Sequence, residues 1–131
     1  MKIQSPLAAT LAICVLFALS SCAAKDIVYP TNDEVLTYQL PFDLTFLRTF
    51  EAVEQLNDWM PEDTEKEKGL LNIRNVNYSR FADSDKRQIT ILVERVDRAT
   101  TVVRLAPESI HVIGGEQVLE IIKKHLDHEV S

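Results

Sequence analysis

Apolar and polar positions along this chain fall into blocks with two different periods. The stretch "RQITILVERV" (87–96) alternates strictly, with Ile89, Ile91 and Val93 on one side. That is the period of a strand with one face buried. After a connection at 97–101 comes "VVRLAP", a second short strand. Pairing Val93 with Leu105 sets Val96 against Val102, and Glu94 against Arg104 on the other face. This register is expected because it satisfies apolar and charged neighbours together. "LLNIRNVNYSRF" (70–81) is also strand-like, but its apolar phase slips from Leu71 and Ile73 to Val76 and Tyr78. A period of two slips only through an extra residue, so a β-bulge is expected near Arg74 and Asn75. "ADSDK" (82–86) reads as the turn that follows. "VLTYQLP" (35–41) has strand composition and stops at Pro41.

Two blocks carry the longer period. In "FDLTFLRTFEAVEQLNDW" (42–59), Leu44, Phe46, Leu47, Phe50, Val53 and Leu56 recur at three- and four-residue spacing, which predicts an amphipathic helix. Asp43 is expected to cap it, Phe42 to staple against Leu47, and Pro61 to forbid its continuation beyond Trp59 and Met60. "PEDTEKEKG" (61–69) reads as a solvated connection. "GGEQVLEIIKKHLDHEV" (114–130) is the second helix, with Val118, Leu119, Ile122 and Leu126 on one face and Ile121 beside them. Glu116 and the pair Lys123 and Lys124 suit the two ends of its dipole. The expected order is β-α-β-β-β-α. It describes an α+β domain in which two amphipathic helices cover one face of an antiparallel sheet of three to four strands. No internal repeat interrupts residues 35–131, which have the size of a single domain.

The first 34 residues follow other rules. Met1 and Lys2 make a positive start, and residues 7–19 form an uncharged run broken only by Thr10. Such a run is too short for a bilayer span of roughly 20 residues and has the length of a signal-peptide core. Leu19-Ser20-Ser21-Cys22 then resembles the lipobox of bacterial lipoproteins: an aliphatic residue, two small residues and a cysteine. The resemblance implies a signal peptide over 1–21, diacylglyceryl attachment to the Cys22 sulfur, and usually acylation of its new amino group. Residues 22–34 are then the lipidated cysteine and a tether, punctuated by Pro30, Asn32 and Asp33. Cys14 leaves with the signal peptide, and Cys22 becomes a thioether. No thiol is then expected for a disulfide, a metal or nucleophilic catalysis. One acyl chain binds a membrane only marginally, at roughly 10⁴ M⁻¹, whereas two hold stably.

In lipoproteins of enteric-type diderm bacteria, an aspartate after the cysteine favours the inner membrane. Ala23 occupies that position here, which implies the periplasmic leaflet of the outer membrane. In element order the remaining domain resembles small helix-grip-like envelope domains, including those in the C subunit of the outer-membrane β-barrel assembly machine. That is a likeness of pattern and carries no functional residue across.

Charge narrows the partners. The chain has a formal charge of −6, and loss of residues 1–21 removes Lys2 and no acid, leaving −7. Such a domain gains nothing electrostatically from nucleic acid or an anionic bilayer, so the anchor is the expected membrane contact. Candidate chemistry is sparse. Asp83 and Asp85 have a calcium-like spacing but lack the other acids of an EF-hand loop. His125 and His128 lie beside Asp127 and Glu129 near the C-terminus, where helix-end cations explain them without a metal. His111 stands alone. Ser79, Ser84 and Ser109 lack a nucleophile elbow. Gly114-Gly115 before a helix has the form of an anion cradle but no phosphate-loop pattern around it.

No catalytic residue, metal ligand or cofactor is therefore expected. The reading is a lipid-anchored envelope module that binds or braces another envelope protein. Its alternative is a carrier holding an apolar ligand between helices and sheet, lined by Phe46, Phe50 and Trp59. The anchor is directly testable: Cys22→Ala is expected to abolish incorporation of radiolabelled fatty acid. Undiminished labelling would remove the lipoprotein assignment.

Overall fold

The computed structural model describes residues 31–77 and 88–130. It places Cys14, Cys22, Ser79, Asp83, Ser84 and Asp85, with the turn 82–86, outside the described residues. The elements are β1 (Leu36–Tyr38), α1 (Phe42–Glu54), β2 (Trp59–Glu65), β3 (Leu70–Asn75), β4 (Gln88–Arg95), β5 (Thr101–Leu105) and α2 (Gly115–Val130). The strands form one sheet in the order β1-β5-β4-β3-β2, antiparallel throughout. The fold is α+β with five strands and two helices.

The fifth strand is β2, which the sequence presents as a loop. Its seven residues read WMPEDTE, and only Trp59 is buried. An edge strand needs one ladder partner and little apolar burial, so its side chains carry almost no alternating signal. The expected bulge also lies elsewhere. β3 and β4 pair without a break from Leu70 opposite Leu92 to Arg74 opposite Gln88. The irregularity is in β2, between Pro61 opposite Ile73 and Asp63 opposite Asn72, with Glu62 as the extra residue. Proline cannot donate to a ladder, and an edge with a bulge is where a strand tolerates it. The slipped apolar phase after Ile73 has a simpler cause. β3 ends at Asn75, and Val76 is 44% exposed beyond it.

The β4–β5 register differs from expectation by two residues. Val93 lies opposite Val103, and Ile91 opposite Leu105. A shift of two keeps every side chain on its face, so Glu94 and Arg104 still meet. They do so diagonally, with Arg104 Nη2 3.0 Å from Glu94 Oε1. Long side chains reach a diagonal neighbour readily, so this exposed ion pair does not discriminate the two registers.

Burial alternates along the central strands. Leu71, Ile73, Ile89, Ile91, Val93, Val103 and Leu105 are buried on one face. Phe46, Ala52 and Val53 of α1 join the same core cluster or its burial, as do Val118, Leu119, Ile122 and Leu126 of α2. Both helices therefore lie on that face. Pro41, in extended conformation, precedes α1 and supplies no side-chain cap. Asp43 falls in the first turn instead, where its charge suits the dipole and reaches Lys66 at 3.3 Å. Phe42 packs on Phe46, with ring centroids 6.0 Å apart. Thr45 and Thr49 are buried in α1, each hydroxyl donating to the carbonyl four residues earlier. That bond satisfies their polarity inside the core.

Gly69 closes a single 3-10 turn before β3 with φ +68°, and its carbonyl accepts the Val93 amide at 2.8 Å. A Cβ at this position would overlap the Val93 carbonyl oxygen. Backbone strain and collision act together there. Gly69→Ala is expected to cost at least about 2 kcal/mol, read as a lower urea midpoint with an unchanged slope. A loss below about 0.5 kcal/mol would show that this approach is relaxed in solution.

Candidate functional site

The described surface carries an apolar depression built by secondary structure. The flank of α1 that faces β2 presents Leu44, Leu47 and Phe50, three residues apart, beside the edge of the buried Phe46. Thr64 and Lys66 form the opposite wall, and the open groove between them holds about 530 Å³. Thr64 lies opposite Leu71, so it sits in the inward phase of the sheet, yet it is exposed. The helical layer stops short of this edge. The helix pattern places Leu44, Leu47 and Phe50 together with the core residues. The structure separates them: Phe46 and Val53 are buried, Leu44 and Phe50 half-buried, and Leu47 is 50% exposed.

Of the residues expected to line an apolar cavity between helices and sheet, Phe46 and Trp59 belong to the packed core. Only Phe46, at its margin, and Phe50 touch the groove, which lies outside that interior. Trp59 is held in place by Gly114, whose φ is +97° and whose Cβ would come within 3.0 Å of the indole. A Cβ on Gly115 would meet the Asn32 amide at 2.7 Å and Leu105 at 2.9 Å. The Gly-Gly turn is thus closed by side chains of the chain itself, as the ordinary turn reading expects. Its neighbourhood includes Asp33, Glu34 and Glu116, which repel an anion.

The titratable candidates have structural partners. Ser109 is buried, and its hydroxyl oxygen accepts the Thr90 amide at 2.9 Å. His125 lies in the seam between the helices, with Nε2 3.5 Å from Glu51 Oε2 and Nδ1 3.4 Å from the Gln55 amide nitrogen. Glu51 also accepts from Arg48 at 2.8 Å. That hydrogen bond, with a smaller contribution from His125, holds the Glu51 carboxyl below its usual range. His128 and His111 are exposed. Among the described residues no three histidine, cysteine or acidic side chains are grouped to hold a metal ion. The acids of β2 are exposed as expected, but on a strand: Glu62 meets Arg74 at 3.8 Å and accepts from Gln88.

Tyr38 stands apart. It is buried in β1, and its hydroxyl has no hydrogen-bond partner among the described residues. Burial, with the nearby charges of Asp127 and Glu34, pushes the phenol up to about 12 from an ordinary 10.0. A pKa raised on folding means that the neutral form is the one the fold accommodates. This contribution is therefore complete below pH 10 and is lost as pH rises towards 12. Tyr38→Phe removes an unsatisfied hydroxyl, so it is expected to be neutral or stabilising by up to about 1 kcal/mol. It is also expected to flatten the alkaline fall in stability above pH 10. Urea titrations at pH 7 and above pH 10 check both, and a loss exceeding about 1 kcal/mol at pH 7 would reveal a partner for the hydroxyl.

Compared with known proteins, the chain matches no protein-family model, and no curated protein is significantly similar to it.

Proposed function

We propose that this chain is a lipid-anchored lipoprotein of the cell envelope that works without catalysis, by binding or bracing another envelope protein. One observation carries the reading: Leu19-Ser20-Ser21-Cys22 closes an uncharged run that follows a positive N-terminus. Two or more acyl chains on Cys22 hold the mature protein at a membrane, and Ala23 directs it to the periplasmic side of the outer membrane. Asn32 is buried on the domain, its backbone amide donating to the Ile110 carbonyl at 2.8 Å, so a tether of about nine residues follows Cys22 and extends roughly 30 Å. Within that reach a neighbour is met at high effective concentration, so a modest surface suffices.

The fold supports a binding role through the surfaces it leaves uncovered. These are the apolar groove beside α1 and the sheet face away from the helices, where Leu70, Leu92 and Val102 are half-buried among polar residues. The strand edges are poorer templates. β1 is three residues long, and β2 carries Pro61, a bulge and three acids.

Crosslinking in intact envelopes tests the reading, with wild-type protein beside a soluble form lacking residues 1–22. Wild type is expected to give a discrete protein adduct that the untethered form gives weakly. Density-gradient fractionation is expected to place wild type with outer-membrane markers. Absence of any adduct, together with substrate turnover by the purified domain, would overturn the binding role. Recovery only with inner-membrane markers would overturn the address.

A further inference from the structure

We propose that the open face of the sheet, away from the helices, pairs with the same face of a second copy of this chain. The inference gives one of the two uncovered surfaces an occupant and goes beyond the binding of a different protein.

Side chains on this face stand in rows across the strands, and one row is its own complement. Glu65 lies opposite Leu70, Leu70 opposite Leu92, and Leu92 opposite Arg104. The chain neighbours Leu71, Ile91, Val93, Val103 and Leu105 are buried on the helix side, so the row points outward. Read across β2, β3, β4 and β5 it runs acid, apolar, apolar, base over roughly 14 Å. Turned about a two-fold axis that lies along the strands, between β3 and β4, the row meets its own reverse. Leu70 then packs on Leu92 of the second copy, and Glu65 meets Arg104 at both ends. Sheets stacked face to face lie about 10 Å apart with strands within about 30°, a gap that glutamate and arginine span together.

The neighbouring rows agree. Asn72 and Thr90 bond to each other at 2.7 Å and add neutral surface on one side. Val102 adds a half-buried apolar side chain on the other. Arg104 and Glu65 already have partners, Glu94 at 3.0 Å and Lys68 at 2.6 Å, but such exposed pairs are worth little and rearrange readily. A face roughly 24 Å by 20 Å buries about 1,000 Å² over two copies, the lower range of specific interfaces.

Charge and the anchor select this occupant and this axis. The face carries Glu62, Asp63, Glu65 and Glu94 against Arg74 and Arg104, so an anionic lipid surface is repelled. An axis across the strands would lay the acids of β2 over themselves. The axis along the strands also keeps equivalent strand ends together. β1 begins at Leu36, shortly after the buried Asn32, so both tethers leave the pair at one end. On the lipoprotein reading, two copies held in one membrane therefore pair with both anchors on the same side. Their confinement raises the effective concentration, so a modest interface suffices.

The test places a photo-crosslinking residue at position 92 of the full-length protein in intact envelopes. An adduct of twice the protein's mass is expected from 92, and none from position 47. Glu65→Arg or Arg104→Glu alone sets like charges together at both ends of the row. Each is expected to lower the adduct at least fivefold. Both swaps in one chain recreate a complementary row and are expected to restore it. The two single variants expressed together are expected to cross-link to each other. Single swaps that leave the adduct intact, or a double swap that fails to restore it, would overturn the pairing. So would a dimer adduct from 47 and not from 92. Adducts from 92 to a different protein alone would overturn the pairing and keep the binding role. A dimer adduct from 92 with no adduct to any other protein, together with turnover of a substrate by the purified protein, would reject the binding role and keep the pairing.

Discussion

Seven aliphatic side chains on one face of β3, β4 and β5 have to be kept from water, and most of the architecture answers that demand. Leu71, Ile73, Ile89, Ile91, Val93, Val103 and Leu105 are each at most 2% exposed. Burying such a side chain favours folding by about 1.5–3 kcal/mol, so the face dominates the balance. A sheet cannot cover itself, and the cover comes from two helices that lie far apart in the sequence. α1 leaves β1 at one edge of the sheet and delivers the chain to β2 at the other; α2 returns after β5. Close approach between neighbouring segments also explains local choices. Gly69 permits contact with the Val93 carbonyl, and Gly114 leaves room for Trp59.

Elements at the margin obey a different requirement, which is to stop further pairing. β2 keeps one inward aromatic, Trp59, and then changes to proline, a bulge and carboxylates. At the other margin β1 offers three residues. Both edges thus discourage strand addition. What stays available is side-chain surface: the flank of α1, where the helical cover ends before the sheet does, and the half-buried open face of the central strands.

The polar groups inside the fold show how little of its chemistry is spare. Thr45, Thr49 and Ser109 are buried with their hydroxyls engaged, and His125 ties α1 to α2 through Glu51 and Gln55. In a lone sequence a serine or histidine near an acid has the same appearance whether it braces a seam or works on a substrate. Here the neighbours of these groups are the chain's own backbone and side chains. On the proposed reading, the anchor and tether set where the domain works, and its outer surfaces set what it meets.

By itself the sequence determined whatever depends on near neighbours along the chain. Alternation in 87–96 announced β4 and its buried face, and the three-and-four spacing announced both helices and the stripe of α2. The α+β class followed from these. Half of the groove was also legible, since Leu44, Leu47 and Phe50 stand in the helical pattern. Their exposure was not, because periodicity reports a face and not what lies opposite it. Tertiary structure decided the rest. Edge strand β2 needs only a partner's ladder, so its acids resembled a loop. The bulge at Glu62 compensates for Pro61 against β3, a relation between strands that neither stretch carries alone. The β4–β5 register was open to a shift of two because such a shift preserves both faces and the Glu94–Arg104 pair. Backbone pairing across the sheet chose between them.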